Sequence, residues 1–139
     1  MREILFRGKR LHNGEWVEGD LLQYSTMTVI QVKEQIDLLT RLEAFPVDPE
    51  TVSQYICRKD DKDRRIFEGD IVLSDDLVYG EGGCFLIQWN EDWNGWDARR
   101  VGTTDDLFGI EELGDMEIVG NRWDTPNLLG GETQEGPDR

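Results

Sequence analysis

Glu-Gly-Asp occurs twice in this chain, each time between apolar pairs: Trp16-Val17-Glu18-Gly19-Asp20-Leu21-Leu22 and Ile66-Phe67-Glu68-Gly69-Asp70-Ile71-Val72. Carboxylates converging on one substrate can run general acid–base chemistry, glycoside hydrolysis included. That needs two carboxyl groups aimed at one point, which spacing along a chain does not supply. The same residue types have a structural use. Glycine adopts positive φ at a turn or bulge without a Cβ clash, a neighbouring Asp accepts a backbone N–H freed by the bend, and the apolar pair that follows enters a core. Gly19, Asp20, Gly69 and Asp70 are therefore expected to be structural corners, with Glu18 and Glu68 solvating them.

Other chemistry-bearing residues are sparse. His12 is the single histidine and lies in a polar turn beside Asn13-Gly14, a poor place for the base of a triad. Cys57 and Cys84 with one histidine cannot complete a four-ligand zinc site within the chain. Asp60-Asp61-Lys62-Asp63 and the segment Asp92 to Asp97 resemble calcium loops, but the twelfth positions are Ile71 and Thr103 where a bidentate Glu belongs. Solvated turns are the better reading of both. No Gly-rich phosphate loop precedes a Lys-Ser or Lys-Thr pair. No catalytic residue, metal or cofactor is expected.

The elements that would carry these residues read as short strands. Ile4 to Phe6 and Trp16-Val17 flank a hairpin signalled by Asn13-Gly14. Strands are expected within Leu21 to Val32, in Val52 to Cys57, after Asp70 and from Cys84 to Trp89. Residues 33–45 fit a helix through Ile36, Leu39 and Leu42, and fit an alternating strand equally well. The return from Trp89 passes Asn94-Gly95; a two-residue turn there would set Asp92 against Asp97, so the register across 89–97 stays open. Thr103 to Asp106 offers a cap for a short helix to Leu113, and Thr125-Pro126 opens a final helical turn. The expected architecture is mainly β, an SH3-like or pseudo-barrel of coiled antiparallel strands with one or two short helical turns. It fills one domain over 1–129, with residues 130–139 as a flexible acidic tail.

Composition narrows the partners. The chain has 139 residues, and its five Trp, five Phe and three Tyr supply the bulky core material that disordered chains lack. No apolar run reaches the ~20 residues of a membrane span, no secretory signal is expected because no long apolar segment follows Met1 to Arg7, and two cysteines make no disulfide framework. A cytoplasmic setting is expected. Thirty acids against fifteen bases leave −15, and residues 101–139 hold ten acids against two bases, or −8. Such a surface repels nucleic-acid backbones and anionic membranes.

Several blocks together resemble the YopX family, small proteins associated with phages and prophages. They are Arg2-Glu3-Ile4-Leu5-Phe6-Arg7, then Val47-Asp48-Pro49-Glu50-Thr51-Val52-Ser53-Gln54-Tyr55, then Ile66 to Val72, and finally Glu117-Ile118-Val119-Gly120-Asn121 with Pro126 and Leu128-Leu129. The chain departs at Ser53 and Arg64, where the family usually has Gly, and at Cys57-Arg58-Lys59, where it usually has Thr-Gly-Leu. The resemblance implies a mostly β domain of small-barrel character and supplies no catalytic residues.

Four functions are weighed. A non-enzymatic protein-interaction module, self-association included, would use Trp93 and Trp96 as an exposed aromatic patch, unless these pack across the hairpin. An acidic decoy would imitate DNA towards a host DNA-binding protein. Direct nucleic-acid binding would use Arg58, Lys59, Lys62, Arg64 and Arg65, but Asp60, Asp61 and Asp63 interrupt that strip. A hydrolase using carboxylates alone ranks last. The module is the favoured reading.

Overall fold

The structure is a computed structural model that describes residues 1–75 and 82–132. Residues 76–81 and most of the expected tail lie outside the described residues. The described chain is mainly β, with three 3-10 turns as its helical content. It divides into two compact units, residues 1–57 and 58–139.

In the first unit, β1 (Phe6–Lys9), β2 (Trp16–Gln23), β3 (Thr28–Ile36), β4 (Leu39–Pro46) and β5 (Ser53–Lys59, whose end enters the second unit) run antiparallel. Their hydrogen-bonded order is β4-β3-β2-β1-β5. Strand β2 pairs through residues 16–19 with β1 and through residues 20–23 with β3, so the sheet coils along this one strand. An isolated antiparallel bridge, Arg10↔Val47, joins the end of β1 to the chain just past β4. The sheet otherwise remains open. Val29, Ile30, Val47 and Tyr55 are buried here.

Residues 33–45 form neither a helix nor a single strand. They are the body of a β3–β4 hairpin whose ladder runs from Val29↔Pro46 to Ile36↔Leu39. Asp37 sits in its two-residue turn at φ 54, a left-handed conformation that Asp tolerates better than most residues. Both sequence patterns were present because Ile36, Leu39 and Leu42 are exposed and no core imposes a period on them.

In the second unit, β6 (Arg65–Phe67) is followed by β7 (Asp70–Ser74), β8 (Gly83–Asn90), β9 (Gly95–Arg100), β10 (Leu107–Gly109) and β11 (Glu117–Asn121). The last five form an antiparallel sheet in the order β10-β9-β8-β7-β11. Strand β8 is central, and its Phe85, Leu86 and Ile87 join Ile71, Val72 and Ala98 in the core. The helix expected from Thr103 to Leu113 does not form. Leu107 to Gly109 pair with β9 instead, Phe108 meets the Phe85 ring edge-on at 5.5 Å, and only Ile110–Glu112 makes a 3-10 turn. Burial of that aromatic edge outweighs a weak local helix preference already lowered by Gly109.

Candidate interaction site

The β8–β9 hairpin presents the aromatic patch. Its ladder closes at Asn90↔Gly95, so residues 91–94 form a four-residue loop and Asp97 faces Gln88. The two-residue Asn94-Gly95 turn is not used. Asn90 replaces it: its Oδ1 accepts the backbone N–H groups of Asp92 at 2.9 Å and Trp93 at 3.3 Å. Its Nδ2 donates to Asp97 Oδ2 at 2.6 Å. Asp97 is fully buried, and its other oxygen, Oδ1, has no hydrogen-bond partner.

Trp93 projects from the loop 53% exposed. Trp96 is half-buried, packs edge-on against its cross-strand partner Trp89 with centroids 5.2 Å apart, and carries a buried Nε1 without a partner. Trp89 is itself 41% exposed. The exposed pair at this end of the sheet is therefore Trp89 and Trp93, with Trp96 as a side support. Alternation along β8 groups Trp89 with buried Phe85 and Ile87; position beside the loop, where the sheet face ends, is the signal that separates it.

The two Glu-Gly-Asp segments do different jobs. Gly69 occupies the β6–β7 turn at φ 92, and a Cβ there would lie 2.5 Å from the Trp123 ring. Its N–H donates to the Ile87 carbonyl at 2.7 Å, and its carbonyl accepts from the Arg122 N–H at 2.9 Å. Asp70 is buried, and its Oδ2 accepts the Phe67 backbone N–H at 2.8 Å. Gly19, by contrast, lies inside β2 where that strand passes from β1 to β3, and positive φ is not what it provides. Its missing Cβ admits the Gln31 backbone carbonyl, whose oxygen would stand 2.2 Å from such an atom. Asp20 is half-exposed and pairs with Lys33 at 3.0 Å.

Asp60 is not a solvated turn residue. Its side chain is buried, and its two oxygens accept backbone N–H groups of Lys62, Arg64 and Ile118 and the Arg64 guanidinium. Burial pushes its carboxyl up, but the backbone donors and Arg64 outweigh burial and hold it at about 2, below the usual 3.8. Asp63 takes the left-handed position of this turn, at φ 64. The basic strip is largely engaged by acids: Arg64 with Asp60, Lys62 with Glu117 at 2.7 Å, and Lys59 with Asp63 at 3.6 Å. The hydrogen bond to Glu117 pushes the Lys62 ammonium up. Nearby, Asp61, Asp75, Asp115 and Glu117 line a depression of about 220 Å³. Among the described residues no three His, Cys, Asp or Glu side chains group to hold a metal ion. His12 and Cys57 are exposed, both cysteines are free, and no described helix is long and apolar enough to cross a membrane.

Two positions where the chain departs from the resemblance have local explanations. Ser53 is buried and its Oγ accepts from Arg7 Nε at 3.2 Å, while the Arg7 guanidinium lies 4.5 Å from the centre of the Trp16 ring. Cys57 holds φ 65 near the end of β5, and its thiol donates to the Glu3 carbonyl at 3.3 Å.

These features define an acidic, mainly β protein built from coiled antiparallel sheets. The chain belongs to the YopX family, whose model, described as YopX protein, matches residues 5–130. Among solved structures it is similar to the crystal structure of protein EF1440 from Enterococcus faecalis. That likeness has a TM-score of 0.58 at 17% identity, covering 93% of this chain and 99% of that one, and it is a likeness of fold. No curated protein matches the chain.

Proposed function

We propose that this protein is a non-enzymatic protein-interaction module of a phage or prophage, with the β8–β9 hairpin as a contact surface. The observation that carries this reading is the exposure of Trp93 and Trp89 at one end of that hairpin. Tryptophan is over-represented among the residues that dominate binding energy, and a large aromatic left in water is costly unless a partner covers it. Asn90 ties down the loop that carries Trp93, so little ordering entropy remains to be lost on binding. The test is affinity capture from host lysate with wild type and Trp93→Ala. A partner retained by the wild type and lost from a folded Trp93→Ala supports the reading; equal capture by both counts against it.

A second reading, the acidic decoy of a DNA-binding protein, draws support from the depression lined by Asp61, Asp75, Asp115 and Glu117 and from the net charge of −15. It requires a host partner whose binding falls steeply with salt and competes with DNA. Salt-insensitive binding removes it.

A further inference from the structure

Strand β4 is the outer strand of the first unit's sheet order, and part of its outer edge is open. The two-residue turn makes Ile36 and Leu39 a hydrogen-bonded pair. Alternation then turns the N–H and C=O groups of Thr40, Leu42 and Ala44 away from β3. The same alternation sends the Pro46 carbonyl outward, where the Leu11 N–H takes it at 3.0 Å, so the open stretch ends at Ala44. Leu39 is 74% exposed and Leu42 56% exposed along it. An exposed apolar edge of this kind is a template for another strand.

We propose that β4 pairs antiparallel with β4 of a second copy of this chain, about a two-fold axis at Leu42. This goes beyond the Trp93 reading and uses a different surface. The sequence of β4 is self-complementary in that register. Leu42 meets Leu42 of the second copy, and Thr40 meets Ala44, all three residues being ones whose backbone groups point outward. On the opposite face Arg41 meets Glu43 and Leu39 meets Phe45, each twice by symmetry. The Arg41–Glu43 pairs fall at the closer, non-hydrogen-bonded spacing. Exposed Leu39 and Leu42 both gain apolar cover. Neighbouring registers fail on charge. A shift by two residues keeps the outward groups in step but sets Arg41 against Arg41, or Glu43 against Glu43. A shift by one faces outward groups with groups already used by β3. Arg41 and Glu43, now 3.7 Å apart within one chain and both largely exposed, therefore specify a single pairing.

Sedimentation and light scattering across a concentration series test this on the full chain. Wild type is expected to be a dimer at high concentration. Arg41→Glu and Glu43→Arg each replace two opposite-charge pairs by like-charge pairs, and each should raise the dissociation constant about tenfold or more. Mixing those two variants should restore dimers, because every pair between them is again of opposite charge. Leu42→Lys puts two cations on the axis and should give a folded monomer, since Leu42 is exposed in the single chain. Trp93→Ala should dimerise as wild type does, which separates this proposal from the aromatic surface. A wild type that stays monomeric overturns it. So does a dimer indifferent to Arg41→Glu and Leu42→Lys, a mixture that fails to re-form dimers, or a dimer lost in Trp93→Ala.

Discussion

Arg64 reaches back four residues to Asp60, placing its Nε 2.9 Å and its Nη2 2.8 Å from the same carboxylate oxygen, Oδ2. The guanidinium also donates to the Ile118 carbonyl at 2.9 Å, while the Ile118 N–H donates to that oxygen at 3.1 Å. The turn after β5 and strand β11, distant in sequence, are thereby fastened through one buried carboxylate.

A pH dependence follows. The Asp60 carboxyl sits at about 2 in the folded chain against 3.8 ordinarily. A depressed carboxyl stabilises the fold above the unfolded value, and that stability is lost as pH falls through the folded one. The stabilisation, about 2 kcal/mol by linkage, should therefore disappear progressively between about pH 4 and pH 2. Asp60→Asn should flatten this acid limb in urea melts taken across that range. Asp60→Ala, which strands three backbone donors, should cost about 3 kcal/mol at neutral pH.

The glycines of the two Glu-Gly-Asp segments should fail for different reasons. Gly69→Ala meets both a left-handed backbone at φ 92 and the Trp123 ring at 2.5 Å. The backbone alone costs about 1–2 kcal/mol, and displacing Trp123 should shift tryptophan emission. Gly19→Ala meets no backbone penalty but would drive the Gln31 carbonyl away from β2. Hydrogen exchange in that variant should rise at Asp20 to Gln23 and their β3 partners, with the β8–β9 amides as control. Equal exchange in both regions would remove the close-approach account.

The two aspartates of these segments hold the fold in different ways, one as a buried acceptor and one as a surface ion pair. Asp70→Ala leaves the buried Phe67 N–H without its acceptor and should cost about 2 kcal/mol. Asp20→Ala removes a half-exposed ion pair with Lys33 and should cost less than about 1 kcal/mol, an effect that fades in high salt. Matched losses measured by chemical denaturation would contradict this division.

How much of this was legible beforehand depended on what each residue type signals locally. The strand content was readable because Val, Ile, Thr and aromatics recur in short runs between turn residues, and β5, β7 and β8 lie where those runs lie. The Gly69-Asp70 turn was readable for the same reason: positive φ and a local N–H acceptor are short-range demands. Gly19 could not be read this way, since what it makes room for is Gln31, twelve residues on in another strand. Asp60 reads as one more acid in a charged run until Ile118 is brought beside it. The helix expected to Leu113 yielded to Phe108 packing on Phe85, a contact across the sheet that no local window contains. Trp89 and Trp96 face each other across the hairpin; which of them water reaches was decided by where β8 ends.

Asn90 links the fold to the proposed contact surface and gives the last prediction. One side chain organises the four-residue loop through Asp92 and Trp93, and it also makes the one hydrogen bond received by the buried Asp97 carboxylate in this hairpin. Asn90→Ala should therefore destabilise the chain by about 2–3 kcal/mol, since it leaves a buried side-chain acceptor without its donor. Asn90→Ala/Asp97→Val removes the stranded carboxylate along with its donor, so stability should recover much of that loss while the loop remains untied. If Trp93 binds a partner as a pre-positioned anchor, the double variant should be stable yet capture that partner more weakly than wild type, because ordering the loop again costs entropy on binding. Full capture by the stable double variant would show that the loop needs no fixing by Asn90, and the pre-positioning argument would fall with it.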